Sequence, residues 1–361
     1  MSGPPVVAGY APAAPPHQSG SPRRPRVLVL GANTFEDSME RHVVDGLNEL
    51  GCEVGFAATR PGTRRFGPII AGITLRLSRA LLREPERRNE HSILRAASDF
   101  GPNLVLVILG SELSPRTVAQ LRKLTGAPLV CWFQDAVTTM GRQYVLGAGY
   151  DIVFMKDRHL QRHFSQLIRA TEFRYLPEAF NPAVHHPVTP TADEHRRLHC
   201  EVMIAGSLYY YRQHLLQHLD GRHVAIWGHR PGWLVDRVGD SFRGPPIHGR
   251  EKAAAVCSAR IALNTLHFAE IDGLNCRAFE LAGYGAFQLV SDRPVLNEHF
   301  TTGLEVESFS SYQELRDKVD YYLRNPDRAL EIASRGLERA RQEHTYAHRL
   351  REILAHVNLT V

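Results

Sequence analysis

The chain has 361 residues, of which 43% are hydrophobic and 22% charged, and a formal net charge of +5. That length predicts two domains of an ordinary soluble globular protein. No apolar run nears the roughly 20 residues of a membrane span, no signal-peptide core opens the chain, and the five cysteines are scattered without a C-x-x-C pair. The expectation is a cytoplasmic protein with reduced thiols and no metal framework. Only four of the 43 basic residues are lysines. The arginines are spread evenly, with no basic helix or aromatic stripe, which argues against nucleic-acid binding.

Residues 1 to 24, rich in Pro, Gly, Ala and Ser, cannot bury enough apolar area to offset ordering entropy and read as a disordered tail. Order begins with the strand Arg26–Leu30. It ends at Gly31-Ala-Asn-Thr34 and leads into a helix whose stripe is Met39, Val43, Leu47 and Leu50. Glu53–Ala57 is a second strand, and this β-α-β opening predicts a parallel sheet with crossover helices. The pattern repeats through a helix near Ser92–Phe100 and strands Leu104–Leu109, Pro128–Phe133 and Asp151–Met155, while residues 60–90 have no clear period. From Arg174 to His199 the rhythm breaks into a polar, Pro- and His-rich stretch that reads as a linker. A second series follows, with strands at 201–205, 223–227, 261–264, 286–290 and 305–309. The tail from Ser311 is helical and split near Asn325-Pro326. Two tandem Rossmann-like α/β units facing across a cleft result, at residues 25–180 and 201–340, joined by 181–200 and followed by a returning helix at 341–361.

Ligands of open α/β sheets gather outside the carboxyl ends of the strands. In the second unit those ends offer Gly206-Ser207, Gly228-His229, Asn264-Thr265 and the loop Asp272–Arg277, a donor-rich and Gly-rich set suited to a diphosphate. In the first they offer Asn33-Thr34, Ser111-Glu112, Asp135 and Lys156-Asp157, a more acidic set suited to an acceptor or a base. The segment Asp272-Gly-Leu-Asn-Cys-Arg-Ala-Phe-Glu280 is the most telling. A carboxylate early in a helix accepts from vicinal hydroxyls, and loop amides with Arg277 meet anionic oxygens, which is what a nucleotide-sugar demands.

Other classes lack their motifs. Gly31-Ala-Asn-Thr34 misses two glycines of the dinucleotide fingerprint. There is no Walker loop, no G-x-S-x-G elbow and no Asp-x-Asp metal anchor. Arg212 and Arg277 are left to neutralise a leaving diphosphate.

The segments Trp132-Phe-Gln-Asp135, Tyr175-Leu-Pro-Glu-Ala, Ile204-Ala-Gly-Ser207 to Arg212, Ala225-Ile-Trp227-Gly228, Gly273 to Glu280 and His344-Thr-Tyr-Ala-His-Arg349 occur in order. Together they resemble the GT-B glycosyltransferases of the branch like the spore maturation protein CgeB. The resemblance implies a two-domain GT-B fold, a nucleotide-sugar donor in the C-terminal domain, an acceptor in the N-terminal one, and no metal or other cofactor. It also implies that Glu280 holds the donor ribose, that Asp272 lies near the sugar, and that Gly206, Ser207 and Arg212 stand where related enzymes bind the diphosphate. Trp227, Gly228 and Asn275 complete the expected donor set, and His344-Thr-Tyr346 is expected to be structural. Asp135 and then Glu112 are the candidate bases, and the pair Asp272 and Glu280 points toward retention. The resulting expectation is a hexosyltransferase-like enzyme acting on an unidentified glycan, protein or small-molecule acceptor. The competing reading is a catalytically silent nucleotide-sugar-binding subunit. An epimerase is disfavoured, because the C-terminal unit lacks its tyrosine–lysine pairing.

Overall fold

The computed structural model describes residues 24–32, 34–59, 84–109, 113–136, 144–232 and 238–361. The N-terminal tail to residue 23, residues 60–83, Asn33, Ser111 and Glu112 lie outside the described residues.

The first sheet is wholly parallel. Its strands are β1 (Arg26–Gly31), β2 (Glu53–Ala58), β3 (Leu104–Ile108), β4 (Leu129–Phe133), β5 (Ile152–Met155) and β6 (Glu172–Tyr175), in the spatial order β2-β1-β3-β4-β5-β6. The four central strands read as continuous apolar runs because helices cover both faces of such a sheet, and all of β3, β4 and β5 is buried. Parallel pairing requires crossovers, supplied here by α1 (Met39–Glu49), α2 (Glu84–Phe100), α3 (Pro115–Thr125) and α4 (Arg158–Leu167). Local chemistry fixes their ends. Ser114 caps α3 by accepting from the Thr117 N–H, Pro115 fills its first turn, and Gly126 at φ 63° closes it.

The chain then reaches α5 (Ala192–Leu198), held by a Thr191–Glu194 capping box, and a second parallel sheet. Its strands are β7 (Cys200–Ala205), β8 (Val224–Trp227), β9 (Phe242–Gly244), β10 (Ala259–Asn264), β11 (Gln288–Ser291) and β12 (Glu307–Phe309), in the order β9-β8-β7-β10-β11-β12. This is the doubly wound dinucleotide-type order, with its switch point between β7 and β10. Helices α6 (Tyr210–Leu216), α7 (Gly249–Ser258), α8 (Cys276–Gly283), α9 (Tyr312–Arg324), α10 (Pro326–Glu343) and α11 (Tyr346–His356) are the remaining longer helices, and single turns stand at Tyr144–Gly147 and Leu296–His299.

Three elements differ from the expectation. Residues Glu172–Tyr175 form the edge strand β6 where the linker was expected to begin, β9 was not anticipated, and α5 lies inside the polar stretch. Among the described residues no helix is long and apolar enough to cross a membrane.

The chain passes between the two units twice, and the two passages are bonded to each other. The Phe180 N–H donates to the His344 carbonyl at 3.1 Å, and the Tyr346 N–H donates to the Phe180 carbonyl at 3.2 Å. The Phe180 ring enters the apolar cluster of Phe279, Ala282 and Phe300. It packs so closely on Gly283 that a Cβ there would lie 2.3 Å from the ring. Beyond this point α11 returns to the first sheet, where Tyr346, Leu350, Ile353 and Leu354 share a core with Val27, Val29, Trp132 and Phe154.

Candidate active site

The carboxyl ends of β3, β4 and β5 face those of β7 and β10 across a cavity of about 340 Å³. Both sheets therefore bring loop chemistry to one place, and the second brings its switch point.

On the second-sheet wall, Gly206 ends β7 at φ 153°, a conformation that favours glycine. Gly228 lies behind it so closely that a Cβ would fall 1.9 Å from the Gly206 carbonyl oxygen. Arg212, two residues into α6, reaches back into this bend. Its Nε donates to Thr265 Oγ1 at 2.5 Å, one Nη donates to the Thr265 carbonyl at 2.9 Å, and the other donates to the Ser207 carbonyl. It is 7% exposed. Among the described residues it has no carboxylate within ion-pair distance. Burial pulls its pKa downward from the usual guanidinium value. A buried cation with two N–H groups uncommitted, in the wall of a cavity, is built for an anion.

Beside it stands the start of α8. Asn275 caps the helix by accepting from the Ala278 N–H, and exchanges amide hydrogen bonds with Asn264 at 3.1 and 3.0 Å. Arg277 pairs with Glu280 at 2.5 Å. Glu280 itself sits deeper, outside the cavity lining. Its Oε2 also accepts from Lys252 at 2.9 Å, and Lys252 bonds in turn to Asp37 at 2.8 Å. Burial alone would raise the Glu280 carboxyl, but Arg277, Lys252 and His185 outweigh it and hold the group well below the ordinary range. Asp37 is held down in the same manner against its own burial, by His185, His42 and Lys252.

Asp37, His42 and His185 place potential ligand atoms within 4.8 Å of one another. Their hydrogen bonds do not suit a divalent ion. His185 Nδ1 accepts the Asn181 backbone N–H at 3.0 Å, so in its neutral form the proton is on Nε2, which faces Asp37 at 3.1 Å. The Lys252 ammonium already takes the cation's place beside Asp37.

The first-sheet wall carries Gln134 and Asp135 after β4, Lys156 after β5 and Glu178 after β6. Lys156 Nζ lies 2.5 Å from Glu270 and 3.6 Å from Glu178, all three buried. Its own burial is outweighed by the two acids, so its pKa is raised and it stays charged. Glu178 is the unusual member. Burial, only partly offset by Lys156, pushes its carboxyl up to about 7. Its Oε2 has no hydrogen-bond partner among the described residues, and neither has the Oε1 of Gln134.

These groups bear on stability. Burial pushes His299 and His344, which pack together under the two passages, down to about 3. Between the unperturbed 6.5 and 3 the unfolded chain therefore binds two protons that the folded protein does not. Glu178 opposes this from about 7 down to the ordinary 4.5, where only the folded state holds its proton. The three groups leave one excess proton on the unfolded state between about pH 6.5 and 4.5. Burial lowers His185, His267 and His348 as well, so stability is expected to fall by at least about 1.4 kcal/mol per pH unit on acidification across that window, and more steeply below it. Urea midpoints taken at intervals from neutral to mildly acidic pH measure the slope. A flat profile would show that the histidines are not held neutral.

Of the residues expected from sequence, Asp135, Gly206, Ser207, Arg212, Asn275 and Arg277 line one cavity. Four others do not line it. Trp227 packs in the core beneath β7 and β8. Gly228 acts through its close approach to Gly206. Glu280 is enclosed by its ion pairs. Asp272 faces Arg162 at 3.4 Å instead, with its side chain largely buried, and Asp157 Oδ2 accepts from the Ile271 and Asp272 N–H groups and pins the loop to the first unit. The acid of this loop that reaches the cavity is Glu270. Sequence reasoning passed over Glu270 and Glu178, although Glu178 lies within the quoted Tyr175-Leu-Pro-Glu segment. Glu112 lies outside the described residues.

Comparison with known proteins agrees with this geometry. Residues 212–355 match the family model described as glycosyl transferase-like. No curated protein matches the sequence. Sucrose-phosphate synthase from Thermosynechococcus elongatus superposes with a TM-score of 0.66 at 12% identity, over 93% of this chain and 99% of that one. Anabaena HepE, crystallised with UDP and glucose, gives 0.65 at 13%, over 93% and 100%. A glycosyltransferase from Rickettsia africae gives 0.62 at 12%, over 93% and 98%. Residues 212–355 thus match a glycosyl transferase-like domain, and the chain as a whole has the two-unit GT-B fold of these structures.

Proposed function

We propose that the protein moves a sugar from a nucleoside diphosphate to an acceptor hydroxyl without a metal ion, with the donor on the second sheet and the acceptor on the first. The observation that carries this reading is Arg212, a buried cation with spare N–H groups and no carboxylate partner among the described residues, at the switch point of a doubly wound sheet. Arg277, Asn275 and the start of α8 adjoin it and would share the diphosphate. Glu280 would meet a ribose only after releasing Lys252 or Arg277. With Asp272 outside the cavity lining and facing Arg162, the acidic pair no longer supports retention over inversion. Asp135 is an exposed acid at the cavity, with Oδ1 taken by the Ala136 N–H at 2.8 Å, and is available to an acceptor.

A calorimetric panel of UDP, GDP and dTDP tests the donor site, UDP being the first probe because HepE was crystallised with it. One of the three is expected to bind, with affinity and transfer both unchanged by EDTA. No binding by any of them, or activity restored only by added Mg²⁺ or Mn²⁺, would overturn the reading. Because the acids expected near the sugar stand aside, a catalytically silent binding protein is the second reading. Binding without any turnover of the matching nucleotide-sugar, including hydrolysis, would favour it.

A further inference from the structure

We propose that the first-sheet wall of the cavity recognises the transferred sugar itself, with Glu178 and Gln134 accepting its hydroxyl hydrogens, and that this sugar is uncharged. The proposal rests on the donor reading above and deepens it.

Glu178 and Gln134 line the same cavity as Arg212, and each carries one buried acceptor atom, Oε2 and Oε1 respectively, that has no donor among the described residues. Asp272 Oδ1 and Gln288 Oε1 are open as well, but only Glu178 and Gln134 belong to the cavity lining, where a ligand can complete the bonding. A diphosphate cannot serve them, since at neutral pH it too only accepts. A hydroxyl-bearing ring supplies several donors within one small volume, and the cavity of about 340 Å³ leaves room for one beyond the diphosphate wall.

Charge then narrows the class. Lys156, Glu178 and Glu270 form one buried group in which the only ammonium is already engaged, 2.5 Å from Glu270 and 3.6 Å from Glu178. A sugar carboxylate entering here would meet two acids beside an ammonium they already engage, with the free N–H groups of Arg212 given to the diphosphate, so a neutral hexose fits and a uronate does not.

The groups that act on Glu178 are Lys156 at the end of β5, Glu270 in the loop after β10, and Cys276 and Glu280 on α8. From α11, Tyr346 is coupled to it and Arg349 Nε donates to its backbone carbonyl at 3.3 Å. With its carboxyl near 7, Glu178 is about half protonated at neutral pH. A hydroxyl donating to Oε2 favours the ionised form. Sugar binding should therefore expel roughly half a proton at pH 7, whereas the bare nucleotide should expel none through this group.

The test is calorimetry of UDP, UDP-glucose and UDP-glucuronate, or the matching set for whichever base the panel selects, in two buffers of different ionisation enthalpy. UDP-glucose is expected to bind about tenfold more tightly than UDP and to release protons. UDP-glucuronate should bind no better than UDP. In E178Q, UDP affinity should hold while the advantage of UDP-glucose and its proton release disappear. Should E178Q fail to fold, the proton release of the wild-type protein still decides. UDP bound normally with no sugar-linked proton release, or an undiminished UDP-glucose advantage in E178Q, overturns this proposal and leaves the donor reading standing. Failure of every nucleotide to bind overturns that reading instead.

Discussion

Arg212→Ala is expected to weaken nucleoside-diphosphate binding by about 10²- to 10⁴-fold. Of the five guanidinium N–H donors, three are committed to Ser207 and Thr265, leaving two for phosphate oxygens. A hydrogen bond to a charged partner contributes about 1.5–3 kcal/mol, so two give about 3–6 kcal/mol, which is the stated range in affinity. Arg212→Lys separates charge from geometry. It keeps a cation but cannot hold both carbonyls and reach a phosphate at once, and it should recover only part of the loss. Because the side chain also ties β7 to β10, each variant needs a denaturation curve beside its binding isotherm. Affinity within threefold of wild type in a folded Arg212→Ala protein would move the diphosphate to another wall.

Asp37→Ala is expected to cost about 3–5 kcal/mol of stability, the usual result of removing one member of a buried ionic group. Asp37 comes from the loop before α1, yet its partners are Lys252 on α7 and His185 in the interdomain segment. Its loss leaves Lys252 with Glu280 alone, which Arg277 already engages. Combining Asp37→Ala with Lys252→Met should recover much of the loss, since the uncompensated charge is then gone. Urea unfolding measures both. A loss under about 1 kcal/mol in the single variant would show that the network adds little to holding the two units together.

The parts of this structure legible in the sequence are those fixed by local pattern. Contiguous apolar strands such as Leu104–Ile108 and Leu129–Phe133 announce a parallel sheet, and Gly206, Ser207 and Arg212 follow a strand that can only end at the site. Strands β6 and β9 were hidden because edge strands are half exposed: Glu172-Phe-Arg-Tyr alternates, and Phe242-Arg-Gly has three residues. The misplaced acids have a different cause. Whether Asp272 or Glu270 faces the cavity is decided by Asp157, 115 residues away in the chain. The enclosure of Glu280 depends on Lys252, whose position depends in turn on Asp37. No spacing within Asp272–Glu280 carries that information.

The return of α11 to the first sheet sets an order of events during synthesis. Domains generally fold as units as the chain emerges, N-terminal first. Here one face of the first sheet, with Val27, Trp132 and Phe154, is covered only in part, by Val43 and Leu47 of α1, until Tyr346, Leu350 and Ile353 have left the ribosome. The second sheet has all of its own strands by Phe309, and the helices that close its core are made by Ala333, before α11. The unit made first would therefore be finished last, and for most of translation part of its apolar face would be open to chaperones or to neighbouring nascent chains.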